Sequence, residues 1–209
     1  EEAKDMAHLI ARNGLSWMSQ DYYDSLLAMK KVPNPAGAHE AYSQVRNVIQ
    51  HSSMRERDAV MSTLVFTDKE IVKSEIHRSL EKLKSMSLAF QKDAQEQYEA
   101  HCEKLGVRPK SLSLTPEQKE MDRIVPVRNE DFVCPLNEDY IVEKLGEGAM
   151  AGIDLGSYGA YVALNFVVGK SSVLEIANAV SAEYGPVDLN MVFAFFEVLK
   201  KAELLAFKR

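Results

Sequence analysis

Between Thr67 and Gly106 an apolar residue recurs every three or four positions, at Val72, Ile76, Leu80, Leu83, Met86, Phe90, Ala94, Tyr98, Cys102 and Leu105, and the positions between are mostly charged or polar. That step is close to the 3.6 residues of an α-helical turn, so these side chains form one stripe along a helix of about 38 residues, roughly 57 Å long. Thr67-Asp68-Lys69-Glu70 has the form of a capping box at its start, and Gly106 can supply a left-handed cap at its end. A stripe this narrow calls for one neighbour. The preceding segment, 38–66, carries Tyr42, Val45, Ile49, Val60 and Leu64 on one side, around a polar middle from His51 to Asp58. The pattern therefore predicts a long antiparallel helical hairpin with its tip near Phe66 to Asp68, either as a fold within one chain or as an arm that also makes a homodimer.

Upstream, Ala3 to Met29 repeats apolar residues at helical spacing, with Gly14 and Ser19 to Asp21 as candidate breaks, which gives one kinked helix or two short ones. Trp17, Tyr22 and Tyr23 are the densest aromatic patch of this half and are the candidates for an interaction surface, weighed against packing in the core. Val32-Pro33-Asn34-Pro35-Ala36-Gly37 stops the helix. Residues 1–105 thus read as a helical region. Residues 106–137 read as a connector holding a short helix capped by Thr115 with Gln118 three residues later, and a β-prone run from Ile124 to Arg128.

Residues 138–209 read as a winged-helix domain. A short helix, Glu138 to Leu145, and a glycine-rich loop lead to helical patterns separated by Gly185-Pro186. Ser171 or Ser172 caps Val173, Leu174, Ile176, Ala177 and Val180; Asp188 caps Leu189, Val192, Phe193, Phe196 and Leu199; a closing strand follows at Leu204 to Phe207. The expected fold is mainly α: N-terminal helices with a long hairpin, followed by three helices plus short β.

Chemistry is harder to find. Leu145-Gly146-Glu147-Gly148-Ala149-Met150-Ala151 imitates a kinase glycine-rich loop, but Asn165 occupies the place of the phosphate-binding lysine, and no H-R-D or D-F-G element follows. Gly169-Lys170-Ser171 lacks the upstream glycine of a P-loop, since Leu164 stands there. His8, His39, His51, His77 and His101 form no metal-ligand spacing, and Cys102 and Cys134 have no nucleophile motif around them. No catalytic, metal or nucleic-acid-binding residue is nominated. Of the net charge of -6, residues 136–209 carry 10 acids against 6 bases and residues 1–135 carry 21 against 19, so the winged-helix end repels a phosphate polymer. Its recognition-position helix, Leu189 to Lys201, offers Asn190 alone near its N-terminus for reading bases. Two cysteines point to reduced thiols and a cytoplasmic setting, with a single disulfide as the alternative if the chain is exported, and the absence of an apolar run of about 18 residues to no membrane partner.

With these residues in view, Phe166-Val167-Val168-Gly169-Lys170-Ser171-Ser172-Val173-Leu174-Glu175-Ile176, Val180 to Val187 and Phe196 to Ala202 resemble the C-terminal segment of bacterial di-zinc aminopeptidases of the MH clan. Arg123 to Arg128 and Glu1 to Asn13 resemble the region after that family's catalytic domain. The resemblance implies a non-catalytic accessory module governing domain packing, oligomerisation or peptide access. Its partner would be an upstream catalytic domain or another protomer. The family's zinc ligands would precede Glu1, and no cofactor is expected in this chain. The alternative is a free-standing dimeric winged-helix regulator that binds DNA.

Overall fold

The computed structural model describes residues 2–66, 69–129 and 138–208. Among these the chain is mainly helical, with eight α-helices and a two-stranded sheet, and it divides into two compact units, Glu1–Leu112 and Ser113–Arg209.

The first unit is a bundle of three long helices, α1 (Glu2–Lys30), α2 (Pro35–Ser62) and α3 (Glu70–Lys104), with a 3-10 turn, Thr63–Phe66, after α2. Of the two readings of this segment, one kinked helix or two short ones, a single helix forms, and neither Gly14 nor Ser19 to Asp21 interrupts it. Gly14 is there because α2 comes close. A Cβ at this position would lie 2.7 Å from Glu56 Oε2 and 3.0 Å from Glu56 Cβ. A helix-weakening residue is thus retained by packing rather than by a turn. Asn34 caps α2, its Oδ1 accepting from Gly37 N at 2.8 Å, with Pro35 in the first turn where no N–H is missed.

The stripe of α3 is buried or half-buried along its length, as its spacing predicts. The single neighbour is the part that needs correction. His8 faces Glu75, Ser19 faces Met86 and Tyr22 faces Asp93, so α1 runs parallel to α3 and covers it together with the antiparallel α2. Two clusters fill the bundle, one around Met18, Val60, Ile76 and Leu83 and the other around Tyr22, Ile49, Ala94 and Tyr98, with Phe90 packed against both. Lys69 occupies the N-cap position of α3 without a side-chain cap; the expected capping residues Thr67 and Asp68 lie outside the described residues, as does Cys134. At the other end Gly106 (φ 68°) closes the helix, with Gly106 N bonded to Glu103 O and Val107 N to Cys102 O, each at 3.0 Å. These two hydrogen bonds satisfy carbonyls the helix leaves open.

The second unit contains α4 (Pro116–Met121), β1 (Val125–Arg128), α5 (Glu138–Leu145), α6 (Gly156–Asn165), α7 (Val173–Tyr184), α8 (Leu189–Lys201) and β2 (Leu205–Lys208). Residues 106–137, read as a connector, contribute α4 and β1 to it: β1 pairs antiparallel with β2, Val125 opposite Lys208 and Arg128 opposite Leu205, and Met121 and Ile124 enter its core. That core centres on Ile176, Val180, Val192, Phe195, Phe196 and Leu199. Of the two serines proposed to cap α7, Ser172 does so. Its Oγ accepts from Glu175 N at 3.1 Å, and Glu175 Oε2 accepts from Ser172 N at 2.8 Å. Val173 N also donates to Ile124 O at 2.8 Å, which ties the start of α7 to the strand.

Two stability measurements follow. Ser172 is buried and its hydroxyl also bonds Asp122, so Ser172→Ala is expected to cost about 1–2 kcal/mol in denaturant unfolding, and Thr115→Ala, on the exposed six-residue α4, less. Gly14→Leu is expected to cost about 1–3 kcal/mol by overpacking the α1–α2 contact, and an unchanged midpoint would show that Glu56 can leave its place freely.

Candidate functional site

α1 has two apolar sides. One side, with Ala11, Met18, Tyr22, Leu26 and Met29, lies in the core. The other carries Met6, Leu9, Trp17, Tyr23 and Leu27, which remain between 43% and 59% exposed. At about 100° per residue the two sides point in nearly opposite directions. Between the outward apolar residues stand the uncharged Asn13, Ser16 and Gln20, and the exposed Asp24 lies at the edge shared by Met6 and Trp17. Large apolar groups gathered on one exposed face are the usual mark of an interaction site, whereas single ones are not.

The aromatic patch nominated from sequence divides between these sides. Trp17 and Tyr23 are on the outward face. Tyr22 is not, because it is completely buried, stacked on Phe90 with ring centroids 4.3 Å apart, and its hydroxyl donates to Asp93 Oδ2 at 2.5 Å. Burial first, then the adjacent Asp93 carboxylate, raises the Tyr22 pKa well above its ordinary value. Tyr22 therefore holds α1 to α3 and has no surface to offer. Met6, Leu9 and Leu27 are the members that sequence reasoning missed. The signal was available in their helical spacing with Trp17 and Tyr23, but it overlapped the core stripe of the same helix.

A buried charge was also missed. Glu56, in the polar middle of α2, is almost fully buried; its Oε1 accepts from Arg55 Nε at 2.8 Å, and Arg55 Nη2 donates to Asp21 Oδ2 at 3.0 Å. Burial acts to lower the Arg55 pKa, but the two carboxylates outweigh it and raise it, so the guanidinium stays charged. Ser52 is buried one turn earlier, its hydroxyl donating to Val48 O at 2.8 Å. Ser52 and Glu56 continue the Tyr42, Val45, Ile49 spacing, which places them inward despite their polarity.

The histidines and the cysteine near the end of α3 hold structure together. His39 Nδ1 lies 3.2 Å from the Tyr98 hydroxyl, Lys110 N donates to that hydroxyl at 3.1 Å, and Tyr42 stacks flat on the Tyr98 ring at 4.2 Å. His101 Nε2 lies 2.9 Å from Val32 O, which anchors the α1–α2 turn. Cys102 is buried beside them, so its sulfur has no approach for a substrate. Among the described residues no group of three or more His, Cys, Asp or Glu side chains is placed to hold a metal ion, and no helix is long and apolar enough to cross a membrane.

In the second unit the loop that imitates a kinase motif lies between two helices, α5 and α6, and Tyr161 to Leu164 are helical where that fold needs a strand. On α8 just Asn190, Lys200 and Lys201 are exposed. The remaining residues pack to some degree against α5, α6, α7 and β2, with Phe193 stacked on Phe207 and Lys200 over the same ring. No family model, curated protein or solved structure matches the chain.

The raised pKa of Tyr22 gives a pH prediction with a definite sign. The folded state favours the protonated phenol, so its contribution to stability is complete below about pH 10, the unfolded value, and is lost as the pH rises above that. Tyr22→Phe is expected to remove this alkaline loss and to cost about 0.5–1.5 kcal/mol at neutral pH, while Trp17→Ala and Tyr23→Ala change stability far less. Unfolding curves between pH 7 and 11 check both statements.

Proposed function

We propose that the chain is a non-catalytic protein-interaction module, and that the larger protein it serves is a di-zinc aminopeptidase of the kind its C-terminal phrase resembles. The observation that carries the interaction reading is the outward side of α1, where five large apolar side chains stay in water on a helix whose other side already fills the core. The residues behind the resemblance are structural here: Ser172 and Glu175 cap α7, and Val173, Leu174 and Ile176 are core. What they would share with a peptidase region is a local fold, so no residue of this chain is assigned to zinc. The second unit is winged-helix-like in this reading, with α7, a turn, α8 and then β2 laid against β1. Its α8 serves packing, because its surface is spent on its neighbours.

The test sets this reading against its rivals. Titration with duplex DNA from low to physiological salt is expected to show no retention, and peptide substrates with added zinc no turnover. Sequence-specific DNA binding that weakens steeply with salt would replace the proposal with a DNA-binding regulator. Turnover would make the chain an enzyme.

A further inference from the structure

We infer that the outward side of α1 is covered by α1 of a second copy of the chain, packed antiparallel, an inference that rests on the interaction-module reading and specifies its partner. Two observations select this occupant.

The first is extent. From Met6 to Leu27 the strip runs about 32 Å along the helix. Its five large side chains, each about half exposed, leave roughly 500 Å² per copy, taking about 200 Å² for a large side chain. A symmetric pair would bury about 1,000 Å² from these alone, which reaches the lower bound for a specific interface before the flanks are counted.

The second is the charge order along one edge of the strip. On a regular helix Asp5, Arg12, Tyr23 and Lys30 fall within about 20° of one another, and all four are exposed. Leu9 and Leu27 share the centre of the strip, and Met6, Trp17 and Asp24 the far edge. When two such helices meet antiparallel about a twofold axis near Met18, like edges face each other. Asp5 then lies opposite Lys30 of the second copy, Leu9 opposite Leu27, and Arg12 opposite the ring of Tyr23, each contact occurring twice. The end charges are opposite in sign and the middle pair is a cation against an aromatic face, so the edge complements itself. A parallel pair in register would leave Asp5 and Lys30 some 25 residues apart and join neither.

Sedimentation of the full chain over a range of concentrations reads the association, and Trp17, the sole tryptophan, reports from the interface. A dimer is expected, with Trp17 emission shifting to longer wavelength on dilution. Leu9→Asp with Leu27→Asp should weaken it about a hundredfold or more, with the helix content of the chain retained because both positions are exposed. Asp5→Lys alone, or Lys30→Asp alone, should weaken it about fivefold or more, and the two together should restore it. A chain that stays monomeric, a dimer indifferent to Leu9 and Leu27, or a charge swap without rescue would each overturn the inference. A monomer leaves the module reading to another protein partner, whereas specific DNA binding or peptide turnover would remove that reading itself.

Discussion

The first unit depends on covering one side of α3. A helix of 35 residues with so narrow an apolar stripe gains little from its own hydrogen bonds in water, and its stability comes from tertiary packing of that stripe. Two partners share the work. α2 returns along α3 and α1 covers the pair, so the stripe from Val72 to Cys102 lies within the two clusters the three helices form. Aromatic pairs join the helices: Tyr22 of α1 stacks on Phe90 of α3, and Tyr42 of α2 stacks on Tyr98 of α3. These contacts bring the turn at Val32 and the segment after Gly106 to the same end of the bundle, where His101 and Lys110 complete the bonding.

An apolar groove alone would let α1 slide, since one heptad resembles the next. Glu56 limits that freedom. Its carboxylate is buried against Gly14, the one position of α1 in that region without a side chain, and it is bonded by Arg55, which reaches Asp21 one to two turns further on. A shift of α1 by one heptad that put Asp21 in place of Gly14 would set two carboxylates against each other at the Glu56 site and take Asp21 from its place beside Arg55. Such a pair adds little net stability, because desolvation offsets much of the attraction, but a wrong register would leave a carboxylate buried without its partner. Gly14 and Glu56 therefore act as one device, and the weak helix former is compensated by the alignment it enforces.

How much of this was legible in the sequence follows from the range of each interaction. The α3 stripe, the caps at Thr115 and Asp188, and the stop at Pro33 to Pro35 are local patterns, and the structure contains them. Gly14 is hard to read because its meaning lies 42 residues away, in Glu56; taken alone, a glycine within a helical pattern suggests a break. The pairing of Val125 to Arg128 with Leu205 to Lys208 joins segments about 80 residues apart, and neither strand encodes its partner. Tyr22 and Tyr23 are neighbours of similar character, yet a turn of about 100° puts one in the core and the other in water. The outward side of α1 is hard to read for the same reason: its apolar residues and those of the core side alternate in one continuous helical pattern.

α1 and α8 make an informative contrast, since both carry more apolar surface than a single packed face requires. On α8 the excess is absorbed, because α5, α6, α7 and β2 surround it and Phe207 closes over Phe193. On α1 it is not, and Leu9, Trp17, Tyr23 and Leu27 stay exposed although α2 and α3 are fully engaged on the other side. Amphipathic pattern alone cannot tell these cases apart, since both helices satisfy their own unit's core. The difference lies in the number of neighbours, which is a property of topology. In a small unit of seven elements a central helix finds cover on every side, whereas in a three-helix bundle each helix keeps an outward face that must be polar or find a partner. The faces of α2 and α3 that point away from the core are dominated by charged and polar residues, which solves the problem with water. α1 departs from that solution along most of its length, which is why a partner for the first unit is best sought on α1.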